Sequence, residues 1–139
     1  MSTPQLDNGH DLPREAEPDG REPADAVGRN LEAFLLFQLL CAPSYGYNLL
    51  QRLKEYGFGR RTTQPSVVYR VLRSLEAAGA IRSTWETRES GPSRRYYELT
   101  DPGRELLERR ITQLRRSIDR GQRLMQEYEE HAGKPEVTA

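Results

Sequence analysis

The sequence predicts a mainly α fold with a small β-hairpin (α+β), closed by one long helix. Three observations predict it. Apolar residues recur at helical spacing in three short segments between Asn30 and Gly79. The period drops to two over residues 80–88 and again over 94–100. From Thr100 the helical period returns and runs on to His131.

The first segment, "NLEAFLLFQLLCA", is apolar enough to be buried on most sides. Asn30 is its expected N-cap, and Pro43 ends it. The second, "PSYGYNLLQRLKEYG", has Ser44 as expected N-cap, helix to about Tyr56, and Gly57 as its stop. The third is "QPSVVYRVLRSLEAAGAI", Gln64 to Ile81. Thr63 or Gln64 caps it, and Pro65 falls in the first turn, where its missing N–H costs nothing. Gly79 ends it.

Successive helical residues turn by about 100°, which places Val68, Val71, Leu72, Leu75 and Ala78 of this third helix on one buried stripe. Ser66, Arg70 and Arg73 fall opposite, with Tyr69 on the flank. A polar helix face is ordinarily just solvated. Here its surroundings favour a second reading, because a compact helix precedes it and a hairpin follows.

That hairpin is "AIRSTWETR", a turn at "ESGPS", and "RRYYELT". Tyr97 and Leu99 are expected to face the core. Arg88, Arg94 and Arg95 cluster around the Gly-Pro tip. Thr100 then caps the last helix, with Pro102 in its first turn. The order is α-α-α-β-β-α, a helix-turn-helix followed by a two-stranded wing.

Along the last helix Leu107, Ile111, Leu114, Ile118, Gly121, Met125 and Tyr128 follow alternating steps of four and three. That is a heptad seam, and it implies dimerisation through a partner helix. Gly121 replaces one knob, at a cost of roughly 1 kcal/mol in helix propensity against Ala. The arginines between the seam positions, Arg110 among them, are expected to be solvated or paired with acids of the partner.

Charge supports a polyanionic partner. The chain has 139 residues and a formal net charge of zero. Residues 1–29 carry three Lys/Arg against seven Asp/Glu, and residues 126–139 carry one against four. The stretch between holds 17 against 10. A basic middle therefore lies between acidic ends, and the zero total hides it.

Residues 1–28 hold four prolines, three glycines and no aromatic, a composition expected to be disordered, as is the tail 132–139. The organisation expected is a winged helix-turn-helix over 29–100 and a dimerisation helix over 101–131. The opening lacks the apolar core of a signal peptide, and no run is long enough to span a bilayer. A single cysteine, Cys41, allows no intrachain disulfide, so a reducing, cytoplasmic setting is expected. Cys41 ends an apolar helix and reads as a small buried hydrophobe. The two histidines, His10 and His131, lie in the ends of the chain, which leaves no support for histidine catalysis, a metal site or a cofactor. An enzyme is not expected.

Three motifs in order resemble the PadR family of bacterial transcriptional regulators. "YGYNLLQRLKEYG" is similar to the family's "HGYEL…L" helix. "PSVVYRVLRSLEAAGAI" is similar to "PGTIYRALKRLEEEGLI", and "GPSRRYYELTDPGRELL" to "GPPRRYYRLTEAGRELL". The resemblance spans roughly residues 30–110. It implies a homodimeric winged-helix repressor that binds a palindromic operator in double-stranded DNA. Such proteins are often released by a small aromatic or apolar effector. The family's DNA-contacting tyrosine corresponds to Tyr69, its basic recognition-helix positions to Arg70 and Arg73, and its wing arginines to Arg94 and Arg95. Ser66 and Arg88 join this DNA-binding set on position alone. Phe34, Phe37 and Trp85 are the residues set against the effector. Tyr45 departs from the pattern, standing where the family often has histidine, and so does the acidic N-terminal extension. The rival expectation is a winged-helix protein-interaction module that does not touch DNA. Binding to a selected duplex separates the two.

Overall fold

The computed structural model describes residues 26–133. The elements are α1 (Ala26–Cys41), β1 (Ser44–Tyr45), α2 (Gly46–Tyr56), α3 (Pro65–Ala77), β2 (Ile81–Glu86), β3 (Arg94–Leu99) and α4 (Asp101–Ala132). The sheet has three antiparallel strands in the order β1-β3-β2. The disorder expected for residues 1–28 falls mostly outside the described residues, as does that of the tail.

α1 is the centre of the domain. Leu31, Leu35, Leu36 and Leu39 are fully enclosed, with Ala33 and Phe34 beside them. Around it close Leu49 and Leu53 of α2, Val68, Leu72 and Leu75 of α3, Ile81 and Tyr97 of the sheet, and Leu106 and Leu107 of α4. Each large aliphatic side chain removed from water contributes about 1.5–3 kcal/mol, so this cluster is the main source of cohesion. The helix starts at Ala26, four residues before the expected cap, and Asn30 lies inside it. Gly28 weakens that first turn by about 1 kcal/mol without ending it.

Two other expectations change here. Ser44 does not cap α2. Ser44 and Tyr45 form the short strand β1, paired with Tyr97 and Tyr96 of β3. Backbone pairing in the sheet outweighs the local capping preference, and Tyr45 becomes the extended residue before α2. The Ser44 hydroxyl instead accepts from the Arg52 guanidinium at 3.1 Å. Cys41 is exposed, not buried, because the core face of α1 passes through Leu39 and has turned away by residue 41.

α3 buries Val68, Leu72 and Leu75 as its spacing predicts. Ala78 leaves the expected stripe. It is the C-cap and exposed. The hairpin runs in register from Ile81 opposite Leu99 to Glu86 opposite Arg94. Tyr97 is buried and Leu99 packs against the core cluster.

The junction of α3, β2 and α4 is tight. Thr100 caps α4 by accepting from the Gly103 N–H at 3.1 Å, and its hydroxyl donates to the Gly79 carbonyl at 2.6 Å. A Cβ on Gly103 would collide with the Ala80 carbonyl, so only glycine lets the first turn of α4 sit this close.

α4 divides into two halves. Leu107 is buried in its own chain's core and Ile111 packs against it, so these two seam positions are already covered. Arg110 is buried as well, not solvated. Its Nε donates to Glu32 Oε1 of α1 at 2.9 Å, and its Nη1 to Gln113 at 3.0 Å. Further along, Ile118, Met125 and Tyr128 are exposed, together with Leu124. A Cβ on Gly121 would meet nothing within 4 Å, so that glycine serves no close approach within the chain.

Candidate nucleic-acid interface

The pleat sorts the wing residues onto two faces. Ile81, Ser83 and Trp85 of β2 share a face with Arg95, Tyr97 and Leu99 of β3. This is the face turned to the core at its base, and towards α3 further out. Arg82, Thr84 and Glu86 share the outer face with Arg94, Tyr96 and Glu98, and Tyr45 of β1 joins them.

Between α3, the start of α2 and the wing lies a cleft of ≈ 620 Å³. Tyr69 and Arg73 enter from α3, and Trp85, Ser93, Arg94 and Arg95 from the wing. Tyr45, Gly46 and Tyr47 close one end, and Tyr97 forms part of the wall. Four of the seven expected DNA-binding residues therefore meet in one place: Tyr69, Arg73, Arg94 and Arg95. Ser66 and Arg70 lie outside it, exposed on α3. Arg88 is exposed in the segment joining the wing strands.

Tyr69 is half-buried against the core, which raises its hydroxyl pKa above the ordinary 10.0. It is a neutral donor at neutral pH. Its ring crosses the first residue of α2, where only glycine fits. A Cβ on Gly46 would stand 2.7 Å from Tyr69 Cε1 and 3.0 Å from its hydroxyl oxygen.

The two wing arginines have different surroundings. Arg95 turns inward. Its Nε donates to Ser83 Oγ at 3.0 Å, one terminal nitrogen lies 3.7 Å from Glu76 of α3, and its guanidinium lies 4.8 Å over the Trp85 ring. Ser83 in turn donates to Glu76 at 2.8 Å. Arg94 lies on the outer face, 4.9 Å over the ring of Tyr45. The Tyr45 hydroxyl donates to the Glu86 carboxylate. That hydrogen bond is the largest cause of the raised Tyr45 pKa.

The acids Glu76 and Glu86, and the cleft residues Tyr45, Gly46, Tyr47 and Ser93, are absent from the expected DNA-binding set. The signal for Tyr45, Gly46 and Tyr47 was the segment "YGYN", whose dense aromatic and glycine content marks a close approach. For the acids no sequence signal existed, since their partners lie on other elements.

The expected effector residues are not gathered together. Phe34 is buried, with its ring 4.9 Å from Tyr56 and 5.5 Å from Phe58. Phe37 is exposed on α1. Trp85 lies in the cleft beneath Arg95. Burial of apolar area fixes Phe34, while the strand alternation carries Trp85 to a different surface.

Among the described residues no helix is long and apolar enough to cross a membrane. No group of three or more His, Cys, Asp or Glu side chains stands ready for a metal ion among them either.

Several solved structures are similar to this chain. A PadR family transcriptional regulator from Eggerthella lenta is 28% identical, with a TM-score of 0.59, covering 71% of this chain and 85% of its own. A PadR-like transcriptional regulator from Bacillus cereus is 28% identical, with a TM-score of 0.58, covering 69% and 91%. PadR of Bacillus subtilis, solved in complex with operator DNA, shares the fold at 22% identity and a TM-score of 0.52, covering 59% and 46%. No curated protein matches the chain. The model of the transcriptional regulator PadR-like family matches residues 35–109, which run from the middle of α1 through the wing into α4. Over half of the chain thus carries that pattern on the fold described, and the protein belongs to the PadR-like family of transcriptional regulators.

Proposed function

We propose that this protein is a sequence-specific DNA-binding repressor that acts as a homodimer in the bacterial cytoplasm. The observation that carries the reading is the cleft, where Tyr69 and Arg73 of α3 stand across from Arg94 and Arg95 of the wing. Cations and phenolic donors in one concave surface suit a phosphate backbone, and an exposed helix face beside them suits base edges in the major groove. Ser66 and Arg70 extend that face along α3, and Arg88 extends the wing. The crystallised pairing of Bacillus subtilis PadR with operator DNA supports the same use of the fold.

The second half of α4 supports the dimer in this reading. Ile118, Met125 and Tyr128, at 50%, 57% and 68% exposure, form a stripe that a partner helix would cover. Leu114 extends it towards the domain. A two-fold dimer would place two recognition helices on a palindrome with half-sites about one helical turn apart. Release by a small aromatic or apolar effector belongs to this reading through the family resemblance. Phe37 and Trp85 are the two members of the aromatic set open to a ligand.

The experiment is selection of bound fragments from the host genome by the full-length protein. A recovered palindromic site supports the proposal. Recovery of no preferred sequence would favour the protein-interaction module instead.

A further inference from the structure

The Tyr45–Glu86 hydrogen bond joins two strands that are not neighbours. β1 and β2 flank β3 in the sheet, and neither pairs with the other. Tyr45 stands opposite Tyr96 on β3, with ring centroids 5.0 Å apart. Glu86 stands opposite Arg94, two residues back along the same strand. The Tyr45 hydroxyl thus reaches across the outer face of β3 to the last residue of β2. Arg94 covers the ring on the way. The position of Tyr45 in the chain gives this contact its leverage. The next residue, Gly46, opens α2 and carries the ring of Tyr69. A continuous path runs from Glu86 on the wing through Tyr45 and Gly46 to Tyr69 on α3.

We propose that Tyr45 and Glu86 form a latch that fixes the outer end of the wing relative to the recognition helix, making both positioning residues for DNA binding. The inference rests on the DNA-binding reading above. A duplex is contacted by wing and helix at once, so their relative placement must be set before binding or ordered during it. Ordering during binding subtracts from affinity, and a preformed latch avoids that loss. Glu86 also places a negative charge close to the phosphate-facing arginine. A carboxylate there is unfavourable for DNA binding by itself, so the test must separate its charge from its hydrogen bond to Tyr45. Two-stranded ribbons are marginal without further support, and here the tie to β1 supplies it at the open end.

The test controls for that charge. Glu86→Gln and Glu86→Ala both remove it, but only Gln keeps an acceptor for the Tyr45 hydroxyl. The probe is a duplex selected from a random-sequence pool by the wild-type protein. E86Q is expected to bind it roughly 3- to 10-fold more tightly than E86A, the size of one exposed hydrogen bond expressed as affinity. In a Tyr45→Phe background, which keeps the ring under Arg94, E86Q and E86A should bind alike. In the free protein, ¹⁵N relaxation of the β2 and β3 amides should report a more mobile wing in Y45F and E86A than in E86Q. Equal binding by E86Q and E86A with Tyr45 present, and unchanged wing relaxation, would overturn the latch while leaving DNA binding standing. Failure of the wild-type protein to select any duplex would overturn both.

Discussion

The ring of Tyr69 lies directly against Gly46, so close that a Cβ at 46 would stand 2.7 Å from it. This contact joins the two helices of the helix-turn-helix at the edge of the cleft. Gly46→Ala must therefore push the ring aside. The overpacking should cost about 1–3 kcal/mol of stability. It should also displace the Tyr69 hydroxyl from the cleft and weaken binding to a selected duplex roughly tenfold, the worth of one charge-assisted hydrogen bond to phosphate. Thermal unfolding and DNA titration together check this. A stable G46A protein with unchanged DNA affinity would show that the ring position is not used.

The proposed function gives the cleft arginines three different roles, which their surroundings suggest. On the proposed function, Arg73, on the exposed face of α3, reads a base. Arg73→Ala should cost about 1–3 kcal/mol at one base pair and relax the preference there. Arg94 lies on the outer wing face over the ring of Tyr45, opposite Glu86 of β2. R94A should weaken binding to all sequences and reduce the salt slope by about 0.9. Arg95 is held by Ser83, Glu76 and Trp85. R95A should change the salt slope by less than R94A and alter Trp85 fluorescence in the free protein instead. Affinity measured across a salt series tests all three, and equal slopes for R94A and R95A would contradict the division.

How much of this was legible beforehand depends on whether a contact is local. The stripe Val68, Leu72 and Leu75 shows in helical spacing, and the hairpin shows in its change of period. Thr100 is readable as a cap because its acceptor role is three residues away. β1 was not readable. Ser44 and Tyr45 look like the start of a helix, and only a strand some fifty residues on makes them sheet. The same holds for Arg95, whose partner Glu76 lies on another element, and for Phe34, whose aromatic partners come from beyond α1. The heptad seam of α4 is a real periodicity, but its residues divide between buried and exposed positions. Its first positions, Leu107 and Ile111, pack within the chain, and periodicity alone does not say where the change occurs.

Arg110 shows what non-local burial does to energetics. With Glu32 it forms an ion pair whose side chains are 2% and 7% exposed. The pair joins the first and last helices, far apart in sequence. Removing either charge breaks this ion pair inside the core, which typically costs about 3–5 kcal/mol. Arg110→Ala and Glu32→Ala should each reach that range in chemical denaturation. Replacing both together with Met and Leu should cost much less, since a packed apolar pair removes both desolvation penalties. Losses that simply add in the double variant would rule out this coupling.

Burial also sets the alkaline limit of the fold. Tyr69 and Tyr97 both have pKa values raised above the ordinary 10.0, and in each case burial is the largest cause. The neutral phenol is the favoured form in the folded chain. Each tyrosine therefore contributes stability that is fully present below about 10, the unfolded value, and is lost as pH rises through the higher folded value. Stability should be insensitive to these groups at neutral pH and fall on the alkaline side. A phenolate absorbance titration should show three tyrosines ionising late, Tyr45 through its bond to Glu86 and these two through burial, with one fewer in Tyr97→Phe and one fewer in Tyr69→Phe. Ionisation of Tyr69 and Tyr97 at the ordinary phenol value of about 10 would mean that neither ring is packed as described.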